Sequence, residues 1–96
     1  MKLDAELKTL SQAILALETE EECEKFLTDL CTAREIASMA QRIAVAKLLR
    51  DKKTFTQIEE ETGMSSTTIA RINRCLQYGA DGYSLVLDKM DKRKGR

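Results

Sequence analysis

Residues 54–76, TFTQIEEETGMSSTTIARINRCL, decide how the rest of the chain is read, because they divide into two short helical patterns at a single glycine. Apolar Ile58, Met64, Ile69 and Ile72 fall where two steeply crossing helices would share a small core. Gly63 stands between them. A chain that reverses within about three or four residues usually needs one residue with positive φ, which glycine reaches without a side-chain clash. Ser65 or Ser66 then caps the second helix, its hydroxyl accepting a free backbone N–H. That leaves Ser66, Thr67, Thr68 and Arg71 near the exposed amino end. This is the pattern of a helix-turn-helix. In such a motif the amino end of the second helix enters the DNA major groove, where hydroxyls bond phosphates or base edges and arginine bonds guanine bidentately.

The candidate DNA contacts are therefore Thr56, Ser65, Ser66, Thr67, Thr68, Arg71 and Arg74. Lys52 and Lys53 join them from the polar turn at residues 50–53, whose cations can touch the DNA backbone beside the first motif helix. A plainer reading stands beside this one: the glycine ends one helix, the serines cap the next, and the arginines are solvated surface. Glu59, four residues before Gly63, sits where close approach of the helices favours a small residue. With Glu60 and Glu61 it should face away from any phosphate.

Ninety-six residues without proline, 43% apolar and 33% charged, with four glycines at expected helix ends or in the tail, describe one small, mostly α-helical domain. The net charge of zero hides a separation: residues 1–31 hold three lysines against eight carboxylates, a balance of −5, and residues 32–96 hold thirteen cations against eight carboxylates, a balance of +5. A basic face opposite an acidic one is compatible with phosphate attraction. Cys23, Cys31 and Cys75 are too few and too dispersed for a zinc site or a disulfide framework, and reduced, mostly buried thiols are expected. No metal site and no cofactor is expected. Without a membrane-length apolar run or a leader, the expected location is cytoplasmic, with no membrane partner. There is no histidine, glycine-rich phosphate loop or paired nucleophile and base, so catalysis is not expected.

In chain order, Leu3, Leu7, Leu10, Ile14 and Leu17 alternate steps of four and three, the seam of a helix that packs along another helix, either in a homodimer or within its own domain. Residues 19–22 have the threonine-x-x-glutamate form of a capping box that opens a second helix, and residues 32–35 repeat it ahead of a third. The third helix carries Ile36, Met39, Ala40, Ile43, Leu48 and Leu49 to about Arg50. After Leu76, residues 77–82 read as a turn in which Asp81 can cap the next helix; that short helix spans residues 83–90, and residues 91–96 form a disordered basic tail. The organisation expected is one helical domain over 1–90, with dimerisation helices in 1–50, the helix-turn-helix in 54–77 and a carboxy-terminal helix in 83–90.

Residues 30–90 resemble the Trp repressor-like family in order and spacing. The resemblance runs through LCTAREIASMAQR, a helix ending KLLR, then TGMSSTTIAR and NRCL, followed by a loop and a short terminal helix. The run RINRCLQYGADGY further resembles a branch distinct from the tryptophan-sensing repressors. The resemblance implies an all-α fold of about six helices in an intertwined homodimer, with two heads reading successive major grooves of double-stranded DNA. It also implies an effector site between dimer core and head, where two arginines and a threonine hold tryptophan. Thr32 and Arg71 match two of these positions. Arg42 matches the third if one residue is deleted before Leu48, and otherwise Gln41 takes its place. Ile72 stands at a family glycine beside the indole and Cys75 at a family serine. A branched side chain there fills space the ring needs, so tryptophan is not expected as corepressor, although another small-molecule effector is allowed. The reading is thus a homodimeric, sequence-specific transcriptional regulator. The alternative is a helical protein-interaction module that keeps the fold without specific DNA binding.

Overall fold

The computed structural model describes residues 2–93 and contains six helices among them: α1 (Lys2–Leu15), α2 (Glu20–Leu30), α3 (Ala33–Arg50), α4 (Phe55–Thr62), α5 (Ser66–Tyr78) and α6 (Gly82–Arg93). The architecture is all-α. The chain divides into two units, Met1–Ala37 and Ser38–Arg96, with the division inside α3.

In the first unit the helix starts obey local chemistry. Thr19 caps α2 by accepting the Glu22 N–H at 3.1 Å, but the Glu22 carboxylate accepts from the Glu18 N–H at 2.8 Å, one residue earlier than a closed capping box requires. At α3 the reciprocal box does form: the Thr32 hydroxyl accepts the Glu35 N–H and the Glu35 carboxylate accepts the Thr32 N–H, at 3.1 and 2.8 Å. The expected α1 seam is shorter than its spacing suggests, since the helix ends at Leu15 and Leu17 lies in the connection to α2. The cause is a tightened last turn, with the Ala16 N–H shared between the Gln12 and Ala13 carbonyls and the Leu17 N–H bonded to Ile14. Leu3, Leu7, Leu10 and Ile14 are all exposed. No described residue of this unit is fully buried.

The second unit closes a core. Val45 and Ala46 of α3, Ile58 of α4, Ile69 and Ile72 of α5 and Leu87 of α6 are at most 4% exposed, with Leu48, Leu49, Met64, Leu76, Tyr83 and Met90 packed around them. Spacing alone locates Ile58, Ile69 and Ile72. On α3 it favours Ile36, Met39 and Ile43, which are only half-buried, and passes over Val45 and Ala46. The carboxy-terminal helix is longer than residues 83–90. Asp91, Lys92 and Arg93 continue it, so the basic tail expected from residue 91 begins no earlier than residue 94, outside the described residues. Asp81 acts through its backbone. It takes φ +67, which aspartate tolerates better than most residues, and its carbonyl accepts the Leu85 N–H at 3.0 Å. Gly79 ends α5 where a side chain could not: a Cβ built there would stand 2.5 Å from the Cys75 carbonyl oxygen.

Candidate nucleic-acid interface

α4 and α5 are held at a fixed turn by short-range hydrogen bonds. Thr54 and Gln57 form a reciprocal capping box at the start of α4, with the Gln57 N–H on the Thr54 hydroxyl at 3.1 Å and the Thr54 N–H on the Gln57 side-chain oxygen at 2.8 Å. The threonine-x-x-glutamine spacing is the sequence signal for it, glutamine standing where the threonine-x-x-glutamate runs at residues 19–22 and 32–35 have glutamate. α4 stops because Gly63 takes φ +73, its N–H bonding the Glu59 carbonyl at 2.9 Å. The Thr62 hydroxyl donates to the Ile58 carbonyl at 2.7 Å and accepts the Met64 N–H at 3.2 Å, which braces both sides of the glycine. Ser65, rather than Ser66, is the cap of α5. Its hydroxyl accepts the Thr68 N–H at 3.3 Å and lies 3.1 Å from the Thr68 hydroxyl. Glu59 shows why a small residue is not demanded four before the glycine: its side chain is exposed, and Ile58 faces the core instead.

The face of α5 results from the same packing. Ile69, Ile72 and Leu76, spaced by three and four, turn inward, so Thr67, Arg71 and Arg74, spaced by four and three, form one exposed stripe. Ser66 is exposed as well, whereas Thr68 is half-buried and bonded to the cap. Ala70 is absent from the candidate contacts read from sequence, yet it is exposed between Thr67 and Arg74. Its position three after Thr67 is the signal that could have found it. The second helix of the motif thus presents two guanidinium groups, hydroxyls at its amino end and one small apolar side chain.

Around the turn before α4 the cations divide. Lys52, Lys53 and Thr56 are exposed. Arg50, expected at the end of the third helix and the start of the polar turn, is the last residue of α3, and its Nη2 lies 2.8 Å from an Asp88 carboxylate oxygen and 3.7 Å from one of Asp91. It is thereby a tether to α6, and the signal is a pair of aspartates three residues apart on the last helix. Lys53 shares a shallow groove with Gln57, Glu60 and Glu61, so its charge is offset locally by carboxylates.

The family model for the Trp repressor protein matches residues 5–91. The chain belongs to the Trp repressor family. Among relatives, it is 51% identical over 85 residues to the uncharacterised protein YerC of Bacillus subtilis strain 168, covering 88% of this chain and 82% of that protein. Two solved structures share the fold. A TrpR-like protein from Eubacterium eligens is 45% identical, with a TM-score of 0.86 over 91% of this chain and 90% of that one. A candidate Trp repressor from Staphylococcus aureus is 48% identical, with a TM-score of 0.85 over 91% and 87% of the two chains.

The effector positions implied by the Trp repressor resemblance are dispersed in character. Thr32 caps α3 in the first unit and spends its hydroxyl on the Glu35 N–H. In the second unit Arg42, Arg71 and Cys75 are exposed, and Ile72 is 3% exposed within the core. The branched side chain is thus committed to packing α5 against its neighbours. The thiols differ from expectation: Cys23 and Cys31 are half-buried and Cys75 is exposed, because Cys75 falls outside the inward stripe of Ile69, Ile72 and Leu76. Among the described residues no cluster of three or more His, Cys, Asp or Glu side chains is placed to hold a metal ion, and no helix is long and apolar enough to cross a membrane.

Proposed function

We propose that this member of the Trp repressor family is a sequence-specific, DNA-binding transcriptional regulator. It acts as a homodimer and reads double-stranded DNA through α4 and α5. The observation that carries the reading is the stripe of Thr67, Arg71 and Arg74 on the outward face of α5, opposite a fully buried Ile69, in a helix-turn-helix fixed by Gly63. Arg71 is the residue suited to a guanine, since a guanidinium matches its O6 and N7 bidentately; Ser66 and Thr67 suit phosphate or base edges, and Arg74, Lys52, Lys53 and Thr56 suit the backbone. Ser65 and Thr68 serve the fold first, because their hydroxyls bond each other and the cap of α5. The exposed residues Leu3, Leu7, Leu10 and Ile14 are the seam through which a second copy completes the molecule. Two heads related by a two-fold axis would meet half-sites about one helical turn, 34 to 36 Å, apart.

Tryptophan is not the corepressor in this reading. What supports this is Ile72, a branched side chain at the position that the resemblance gives to a glycine, which is buried in the core. Calorimetry should show no heat of tryptophan binding, and a micromolar affinity would overturn this part of the proposal.

DNA binding is tested by a salt titration on a duplex retained from fragmented genomic DNA. Affinity should fall steeply with salt, and Arg71→Ala should cost about 1–3 kcal/mol at one base-pair position. A loss equal for all sequences would assign Arg71 a phosphate or structural role instead.

A second reading draws on the exposed carboxylates Glu20, Glu21, Glu22 and Glu24 of α2, which suit a basic protein partner. It predicts a nuclease-resistant complex that is lost when residues 20–22 are changed to lysine. Co-purification of DNA without any such complex would exclude it.

A further inference from the structure

Ile69, Ile72 and Leu76 turn α5 towards the core, and at about 100° per residue Thr67 and Arg74, seven apart, lie on the opposite side of the helix. Ala70 and Arg71 flank that line, one on each edge, about 50° from it. The two edges differ in chemistry. Beyond Arg71 come Cys75 and Tyr78, both exposed. On the other edge Ala70 is followed, at steps of three and four, by Asn73 and Gln77, which line an open groove with Lys52 of the turn after α3. Ala70 thus stands between two parts of the candidate interface, with Thr67 and Arg74 on one side and the phosphate-suited Lys52 on the other. A duplex that meets both parts passes over Ala70. An exposed alanine is ordinary on a solvated helix, where it is the best of the helix formers, but under a duplex its methyl group meets base edges. A methyl group neither donates nor accepts a hydrogen bond. The feature of the major groove that it matches is the C5-methyl of thymine.

We propose that Ala70 is a specificity-determining residue of the interface, its methyl group packing against the C5-methyl of a thymine in each half-site. The inference rests on the DNA-binding reading and deepens it. Arg71 suits a guanine through hydrogen bonds, whereas Ala70 adds an apolar criterion that hydrogen bonds cannot supply. Cytosine at the same position loses the methyl contact and presents an amino group for which Ala70 has no acceptor.

The test takes the full chain and the best duplex selected from a random pool, and replaces each thymine in turn by uracil. That change removes the C5-methyl and leaves every hydrogen-bonding group of the base pair in place. At one position binding should weaken about fourfold when one half-site is changed and on the order of tenfold when both are, the effect of one methyl group returned to water per half-site. In Ala70→Gly the thymine and uracil duplexes should bind alike, with circular dichroism showing the helices kept. In Thr67→Ser, which removes the other methyl group on the stripe, the wild-type discrimination should remain. Equal binding of thymine and uracil duplexes at every position, discrimination that survives Ala70→Gly, or discrimination lost in Thr67→Ser would each overturn the proposal. The uracil scan needs no variant, so the proposal can fail on the wild-type chain alone. Failure of the DNA-binding reading has a different signature: no duplex is enriched from the pool, and the proposal falls with it.

Discussion

Ile58, Ile69 and Ile72 of the helix-turn-helix head are at most 3% exposed, whereas Leu3, Leu7 and Ile14 of α1 are each more than half exposed, although both sets repeat at helical spacing. Periodicity says which face of a helix is apolar; it does not say what covers that face. In the head the cover is supplied by the same chain, through α3, α4, α5 and α6. In α1 the regular seam stays open to solvent, and under the proposal a second copy closes it. The contrast separates two kinds of stability: one intrinsic to the protomer, the other dependent on protein concentration.

The sharpest way to break this contrast is to open each region in turn. Ile69→Ala, at a site with no exposed surface, should lower unfolding free energy by about 2–5 kcal/mol in a urea titration, by lost burial and the cavity left behind. A cost under about 1 kcal/mol would mean that the head is not closed as described. Leu7→Lys should act differently. It removes about 1.5–3 kcal/mol of apolar burial per protomer from the proposed seam and should shift the chain towards monomer in sedimentation, while methyl shifts of Ile58 and Ile69 stay native. An unchanged dimer would move the interface away from α1.

Smaller effects test the backbone of the head. Gly63→Ala forces a side chain to φ +73 and should cost about 1–2 kcal/mol of thermal stability, though a Cβ there meets nothing within 4 Å; a neutral change would refute the conformational argument. Lys52→Gly should do the reverse and stabilise the chain by about 0.5–1 kcal/mol, because glycine relieves the left-handed strain at φ +65. Destabilisation would show that the lysine side chain contributes packing that its exposure does not suggest.

The head was legible because its signals are local. A glycine at a reversal, serines after it, and isoleucines at helical spacing are read within about twenty residues, and Gly63, Ser65, Ile58, Ile69 and Ile72 stand where those signals lead. The features that escape the sequence depend on contacts distant along the chain. Val45 and Ala46 look no more apolar than Met39 or Ile43, and only the meeting of α3 with Ile58, Ile69 and Leu87 selects them. Arg50 resembles its neighbours Lys52 and Lys53 until α6 brings Asp88 and Asp91 beside it. Ala70 escapes because a search for charge and hydroxyls ignores a methyl group on an exposed stripe. Helix ends lie between these cases: the stop at Gly79 is readable from glycine, but the extension of α6 through Asp91 to Arg93 is hidden by a charge-rich composition that also suits a solvated helix.

The most direct test of a two-headed DNA reader is selection of the purified full chain against a pool of random-sequence duplexes, with sequencing of the retained fraction. The expected result is a motif with two-fold symmetry whose half-sites are about one helical turn, 10 to 10.5 base pairs, apart, retained by the wild type and lost by Arg71→Ala. Retained duplexes that share no motif, or a single unpaired half-site bound equally well by the Leu7→Lys variant, would contradict it.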